Sequence, residues 1–146
     1  GFHIWRIAQN SDLLRIVYVR FGDSKFDDED LTKLIPLANN IAWLDIGGSQ
    51  ITNDGMTHLS AFNNLERLHL ENTSITDNGI ENLVSLRELK YLNLYGTGIS
   101  DESLATISQI KSLQTLYIWN TKVTQQGVDG LKGKSPDLNV QSGVII

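Results

Sequence analysis

The histidines are the first candidates for a catalytic or metal-binding site in this chain, and only His69 has possible partner residues at a suitable spacing. Asp45 and Asn93 lie at equal intervals before and after it in the sequence, and Glu71 follows at the second position after it. A carboxylate beside an imidazole can act as an acid–base pair or supply part of a zinc site. The sequence offers this pair no nucleophile and no second histidine ligand. We therefore expect a surface hydrogen bond here, and predict no catalytic, cofactor-binding or metal-binding residue.

Composition narrows the possible functions further. The absence of cysteine excludes disulfides, thiolate zinc sites, a cysteine nucleophile and the Cys-x-x-Cys-His attachment of c-type haem. A formal net charge of -5 argues against binding to a phosphate backbone, which requires clustered Lys and Arg. No apolar run approaches the roughly 18 residues of a membrane-spanning helix. We predict that the chain is not an enzyme, does not bind nucleic acid and does not itself insert into a membrane.

A 24-residue repeat organises the sequence. The segments 41–46, 65–70, 89–94 and 113–118 each place an apolar residue first, fourth and sixth, and they start at equal intervals along the chain. A less regular copy starts at Ile16, with Val19 and Phe21 as its next core residues. Seven apolar positions in each of five units give 35 positions, of which 34 are apolar and only Lys134 is not. Such regularity is the signature of a repeat architecture.

Within each unit the apolar spacing changes from i, i+3, i+5 to i, i+3, i+6, so a strand is followed by a helix. A hydroxyl residue precedes each helical run, where it can accept from free backbone N–H groups. Acidic residues such as Asp77 and Asp101 follow, favourably placed at the positive end of the helix dipole. We predict an α/β solenoid, with a parallel sheet on its concave face and helices on its convex face. The capping hydroxyls are Thr52, Thr76, Ser100 and Thr124.

The predicted domain is single, with five repeats over residues 16–136 and a cap at each end. In the amino-terminal cap, residues 1–15, apolar side chains are expected to cover the first unit. In the carboxyl-terminal cap, residues 137–146, apolar side chains can close the last unit after Pro136 stops its helix. The cap side chains are Phe2, Ile4, Trp5 and Ile7 at one end, and Leu138, Val140, Val144, Ile145 and Ile146 at the other.

The residues between the core positions of each strand should point outward onto the concave face. All four tyrosines and two of the three tryptophans fall there, whereas Phe21, Phe26 and Phe62 fall at core positions. Tyr, Trp and Arg commonly anchor protein interfaces, so we predict a protein partner, with carbohydrate as the alternative. Adjacent aromatics could instead stack in ladders that only stabilise the sheet. The predicted partner-binding residues are Tyr18, Trp43, Asp45, Arg67, His69, Glu71, Tyr91, Asn93, Tyr95, Tyr117 and Trp119.

The motif Leu-x-x-Leu-x-Leu-x-x-Thr-x-Ile-Thr-Asp-x-Gly, residues 65–79, resembles the leucine-rich repeats of many bacterial proteins. Segments 93–97 and 116–124 are similar to the carboxyl-terminal repeats of bacterial membrane proteins with a c-type cytochrome domain. Segment 2–11 is similar to the segment that precedes those repeats. This resemblance implies a cell-envelope or periplasmic protein with a haem domain upstream, whose haem ligands are not in this chain. The repeats could then be an arm that packs on that domain. Gly1 as first residue likewise suggests a fragment.

Overall fold

The computed structural model describes residues 2–18 and 25–143. Over these residues the chain forms a seven-stranded sheet whose strands stand in sequence order. The first pair of strands is antiparallel and every later pair is parallel. The strands are β1 (Phe2–Arg6), β2 (Leu14–Tyr18), β3 (Ile41–Asp45), β4 (Arg67–His69), β5 (Tyr91–Asn93), β6 (Thr115–Tyr117) and β7 (Asn139–Gln141).

The parallel strands are in register at the repeat spacing. Leu44 lies beside Leu68, which lies beside Leu92, and Leu116 continues the row. All four side chains are fully buried. Val140 of β7 extends the row into the segment predicted as the carboxyl-terminal cap. Because side chains alternate across a strand, the neighbours of each buried leucine point to the other, open side of the sheet. We call that side the concave face.

Short helices follow the strands and cover the opposite side of the core. Their predicted starts are confirmed, because Thr52, Thr76, Ser100 and Thr124 are all N-cap residues. The predicted capping bond forms at three of them, but the Thr76 hydroxyl makes no capping bond to its own helix. No helix in the described part of the chain is long and apolar enough to cross a membrane. The α-helices are α1 (Asp28–Thr32), α2 (Asn53–Met56), α3 (Asp77–Ile80), α4 (Asp101–Ile107) and α5 (Gln125–Lys134), with 3-10 helices at Ile35–Asn40, Thr57–Ala61 and Glu81–Leu83.

The predicted core positions from residue 41 onward lie in one continuous hydrophobic core, except that Val123 is only partly buried against it and Lys134 is exposed. The main departures from the predicted apolar pattern are in the first repeat. Leu37 was expected in the core but is exposed, and Ala38 is buried instead. The 3-10 helix Ile35–Asn40 contains both residues and leads directly into β3. A tighter turn changes which side chain faces inward, and the spacing rule for an α-helix does not anticipate this.

The expected register of the first repeat is wrong, and with it the orientation of Tyr18. Ile16 pairs with Leu44, not with Ile41, and the register shifts at the start of β2. Ile16 and Tyr18 therefore both face inward, and Tyr18 is only 8% exposed. Its ring packs against Phe2 and Phe26, with ring centroids at 6.0 and 5.3 Å. Val19 and Phe21, the other expected core residues of this strand, lie outside the described residues.

The two ends of the solenoid differ in how well they are covered. Of the four side chains predicted to form the amino-terminal cap, Phe2 alone packs against the core, and Leu14 of β2 packs there as well. Ile4 and Trp5 are 52% and 49% exposed, and Ile7 is exposed as well, so the expectation that all four cover the first unit is wrong. Among the described strands β1 pairs with β2 alone, so its other edge is free. At the other end Leu138 is buried, whereas residues 144–146 lie outside the described range.

A column of hydrogen bonds ties each helix start to the next repeat. The first helical residue of α3, Asp77, accepts from the backbone N–H and the hydroxyl of Ser100, both at 2.8 Å. It also accepts from the N–H of Ser103 at 3.2 Å and from the Ser103 hydroxyl. The carboxylates predicted to act locally on the helix dipole thus also bridge repeats. Asp28, Asn53 and Asp101 make the equivalent bonds to Thr52, Thr76 and Thr124.

Candidate functional site

The concave face carries three rows of side chains, each running across the strands. The first row lies on the strands beside the buried leucines, the second lies at the strand ends, and the third follows two residues later. Parallel pairing at the repeat spacing places the members of a row side by side. The first row contains Trp43, Arg67 and Tyr91; the second contains Asp45, His69, Asn93 and Tyr117; the third contains Gly47, Glu71, Tyr95, Trp119 and Gly143.

Arginines and aromatic rings alternate along the first row. The guanidinium of Arg67 lies between two rings, 4.9 Å from the centroid of Trp43 and 5.1 Å from that of Tyr91. On the other side of Trp43 lies Arg15, at 5.4 Å, and it also approaches Trp5 at 5.7 Å. Each such contact contributes about 0.5–1 kcal/mol at an exposed position. The row therefore stabilises the sheet, as the stacking alternative predicts.

The stack of rings continues through the second row. His69 stacks on Tyr91 with ring centroids 4.9 Å apart, and Tyr91 tilts against Tyr117 at 5.4 Å. These three side chains are half-buried. Burial raises the pKa of Tyr91 above its ordinary value, and the neighbouring phenol of Tyr117 raises it further. The hydroxyl of Tyr91 is therefore protonated throughout the neutral range and can act as a hydrogen-bond donor.

Tyr95 and Trp119, in the third row, remain open to solvent at 41% and 45% exposure. One side of the Trp119 ring lies over Gly143, so closely that a Cβ there would stand 2.3 Å from the ring. Gly143 has a φ of +63°, which glycine adopts without strain. The backbone N–H of Tyr95 is held by the side chain of Asn93 at 3.0 Å. Two large aromatic surfaces thus stand free beside the stacked rings.

Asp45, His69 and Glu71 come together near the other end of the face. Register places Asp45 beside His69, and Glu71 reaches across to them from the third row. Its side chain occupies the space above Gly47, where a Cβ would lie 2.7 Å from the Glu71 carboxyl carbon. The His69 Nδ1 to Glu71 Oε2 distance is 3.5 Å, an ion-pair contact at the outer limit of hydrogen bonding. The expected surface contact of His69 is therefore with Glu71.

The two carboxylates of this cluster differ in acidity. Desolvation by burial raises the pKa of Asp45 above its ordinary value, despite the opposing effects of His69 and of the Gly47 N–H. Burial acts in the same direction on Glu71 and is the largest single effect, but the imidazole of His69 and the backbone N–H of Glu71 together outweigh it, so the pKa of Glu71 lies below its ordinary value. Among the described residues Asp45 accepts a single hydrogen bond, a long one from Gly47 N–H at 3.3 Å. It is the less well stabilised anion of the two.

Comparison with known proteins gives one family match, for part of one repeat. The family model described as Leucine Rich repeat matches residues 63–84, which span β4 and α3. None of the curated proteins is similar enough in sequence to count as a relative. The matched stretch includes the motif from Leu65 to Gly79 that carried the resemblance to leucine-rich repeats. It is about one repeat long, and the likeness of the remaining repeats is one of structure.

Solved structures extend that likeness over most of the chain. An internalin from Listeria monocytogenes superimposes with a TM-score of 0.60 at 23% identity, over 77% of this chain and 32% of its own. The fold is a leucine-rich-repeat solenoid. The leucine-rich-repeat ectodomain of the receptor kinase SOBIR1 from Arabidopsis thaliana matches with a TM-score of 0.55 at 16% identity, over 97% of this chain and 77% of its own.

A third solved structure is the ectodomain of the Arabidopsis receptor kinase HAESA, in complex with an extended IDA peptide hormone. It matches with a TM-score of 0.54 at 17% identity, over 81% of this chain and 20% of its own. The present chain thus spans about a third of the internalin and a fifth of HAESA. Solenoids of this kind present extended concave surfaces that are typically used for binding, not for catalysis.

The solenoid brings ten of the eleven predicted partner-binding residues onto its concave face, and only Tyr18 is buried in the core. Seven of the ten form two groups, the acidic cluster with His69 and the three tyrosines with Trp119. Trp43, Arg67 and Asn93 lie outside these two groups. Sequence reasoning missed Arg15, which extends the first row, and Gly47, which makes room for Glu71. The alternation of Arg15, Ile16, Val17 and Tyr18 was a signal that could have placed Arg15 outward.

Proposed function

We propose that the solenoid is a protein-binding module and that its partner docks on the concave face beside β5 and β6. The observation that carries this proposal is the exposure of Tyr95 and Trp119 next to the half-buried pair Tyr91 and Tyr117. Rigid aromatic side chains give large contact areas at a small entropic cost, and they are frequent interface anchors. Stacking accounts for the first two rows, but it leaves these two rings uncovered.

The partner is best described as a peptide segment or an extended loop. The two exposed rings stand on adjacent repeats at the same offset, so they form one aromatic surface across which an extended chain can lie. The HAESA ectodomain, which shares the fold, is in complex with a peptide hormone. The concave face also carries both charge signs, with Arg67 in the first row and Glu71 in the third, so it can orient a peptide of mixed charge.

A random peptide library displayed on phage tests this proposal, because it samples many peptide sequences at once. The immobilised chain should enrich a recurrent peptide motif, and a synthetic peptide of that motif should bind in solution. The double variant Tyr95→Ala/Trp119→Ala should lower its affinity at least about 30-fold, because interface anchors of this type cost about 2 kcal/mol or more when truncated. Thermal melting of both proteins should show that the fold is retained.

The matched control is Leu37→Ala, which removes an apolar side chain of similar exposure from a helical segment outside the sheet. Peptide affinity should not change in this variant. Enriched peptides that bind the Tyr95→Ala/Trp119→Ala variant as tightly as the unaltered chain would refute docking beside β5 and β6. Failure to enrich any motif would count against peptide recognition altogether.

Carbohydrate binding is the second candidate, favoured by the same observation. Sugar rings pack their apolar faces on exposed aromatic side chains, and Tyr95 and Trp119 offer two such surfaces. A glycan array distinguishes the candidates. Reproducible hits that disappear in the Tyr95→Ala/Trp119→Ala variant would favour carbohydrate. An array without reproducible hits, together with an enriched peptide motif, would favour a protein partner.

A third candidate is an arm that packs on an upstream domain of the same protein. The exposed side chains of Ile4, Trp5 and Ile7 along the free edge of the sheet favour this candidate. An upstream haem domain and a cell-envelope location follow only from the resemblance to cytochrome-linked proteins. In the intact parent protein, hydrogen exchange at β1 should be slower than in the isolated repeats if the arm is docked. Equal exchange rates in the two proteins would rule out docking at this edge.

A further inference from the structure

The cluster of Asp45, His69 and Glu71 has the composition of a metal site. One candidate ligand atom from each residue lies within 4.8 Å of the others. Around a tetrahedral zinc ion the ligand atoms are roughly 3.3 Å apart, since each lies about 2.0–2.1 Å from the ion. Side-chain rotations that move these atoms by roughly 1.5 Å would close the set. We propose that these three residues bind a divalent transition-metal ion of the zinc type on the concave face.

The scaffold under the cluster is rigid. Asp45 and His69 are paired residues on adjacent parallel strands, so the backbone fixes their separation. The ring of His69 is held by stacking on Tyr91, which leaves its Nδ1 directed at Glu71. Glu71 comes from the third row and reaches the other two only because residue 47 is a glycine. Three different structural constraints therefore converge on one small volume.

The negative charge of the two carboxylates in the cluster favours binding of a cation. Two half-buried carboxylates face each other across His69, and among the described residues neither has a Lys or Arg within ion-pair distance. Glu71 Oε2 is buried, and among the described residues it has the long contact with His69 Nδ1 at 3.5 Å but no hydrogen bond. A buried carboxylate oxygen without a donor costs free energy unless a proton or a cation satisfies it. Arg15 and Arg67, the nearest arginines, are directed at aromatic rings.

The ligand set also indicates which metal would bind. One imidazole and two carboxylates suit Zn²⁺ or Co²⁺, whereas Ca²⁺ and Mg²⁺ prefer six or more oxygen ligands. The chain has no cysteine, so no thiolate competes for the ion. Three protein ligands leave at least one coordination position for water or for a group from a bound molecule. This inference goes beyond the proposed function and does not depend on it.

The test is calorimetric titration of the chelator-treated chain with zinc sulfate. One equivalent should bind saturably, and the variants His69→Gln, Glu71→Gln and Asp45→Asn should each weaken binding at least about tenfold, since even outer-sphere changes at metal sites cost this much. The matched controls are His3→Ala and His58→Ala, the other two histidines, and Glu66→Gln, a carboxylate that is already paired with Lys90 at 3.0 Å. Zinc affinity should be unchanged in all three.

A glycine substitution tests the geometry without removing a ligand. Gly47→Ala places a Cβ on the Glu71 side chain and should displace it, so zinc binding should weaken although all three ligands remain. Gly130→Ala is the matched control, since a Cβ there meets nothing within 4 Å. Melting curves of each variant without metal report whether the fold is intact. Absence of saturable binding, or binding that survives both His69→Gln and Glu71→Gln, would overturn the proposal.

Discussion

The carboxylate of Asp77 offers the clearest test of how the repeats are held together. It accepts four hydrogen bonds, all from Ser100 and Ser103 of the next repeat. Replacing it with alanine removes every one of them and leaves the buried hydroxyl of Ser103 without this partner. In a solenoid each repeat contacts only its neighbours, so such a loss weakens one specific interface between repeats.

The expected cost of Asp77→Ala follows from these bonds. A hydrogen bond to a charged group contributes about 1.5–3 kcal/mol net, and bonds that share one acceptor are not additive. We therefore expect a loss of about 3 kcal/mol in the free energy of unfolding. Asp101→Ala should cost only about 1 kcal/mol, because that carboxylate is exposed and accepts from Thr124 alone. Urea unfolding at neutral pH measures both values, and the slope of the transition should not change.

A neutral residue at the equivalent position of another repeat shows what the charge of Asp77 contributes. Asn53 holds the same position one repeat earlier: its oxygen accepts from the Thr76 N–H and its amide donates to the Thr76 hydroxyl. Asp77→Asn can pair in the same manner and should cost about 1 kcal/mol, the difference between charged and neutral hydrogen bonds. The reasoning fails if Asp77→Ala costs no more than Asp101→Ala, or if Asp77→Asn costs as much as Asp77→Ala.

Three further predictions follow from the same geometry. Burial alone would raise the pKa of Asp77, but its four hydrogen bonds lower the pKa below the ordinary 3.8. The ionised carboxylate therefore stabilises the fold above that pH, and this stabilisation is lost as the pH falls further. Acid unfolding of Asp77→Asn should lack this component. Gly143→Ala should cost about 1–2 kcal/mol and shift tryptophan fluorescence, because φ is +63° and the new Cβ meets Trp119; an unchanged spectrum would contradict this packing. Leu92→Ala should cost about 2–5 kcal/mol in urea unfolding, whereas the exposed Leu37→Ala should cost less than about 0.5 kcal/mol; equal costs would contradict the assignment of Ala38 to the core.

The repeat itself could be predicted from the sequence because it depends on spacing alone. A leucine that recurs once per repeat can be buried in register only if the strands are parallel and adjacent, as Leu68, Leu92 and Leu116 are. The helix starts were equally accessible, since a hydroxyl such as Ser100 before a helical run has one common role there. The repeat and the helix starts depend only on neighbouring residues and on the 24-residue period. Contacts between distant side chains therefore do not alter them.

The features that the sequence did not reveal depend on contacts between side chains of different repeats. Tyr18 turns inward because β2 pairs with β3 in a different register from the one that apolar spacing favoured. Asp77 looks like a local partner of the helix dipole, but its bonds go to the following repeat. Glu71 lies in the third row, but its side chain contacts His69 in the second, since the missing side chain of Gly47 leaves it room. None of these three features changes the periodic spacing of apolar residues, so the sequence pattern could not reveal them.

Under the proposed function, the aromatic residues of the concave face have two physical roles that composition alone could not separate. Trp43 lies between Arg15 and Arg67, and Tyr91 contacts Arg67 and the ring of His69, so removing either ring would cost stability. Tyr95 and Trp119 contribute little to the stack, and their rings are the ones available to a partner. Packing and binding are thus not competing explanations for one surface. They apply to different rows of it, because only the third row lies beyond the strand ends, where no neighbouring ring among the described residues stacks on its members.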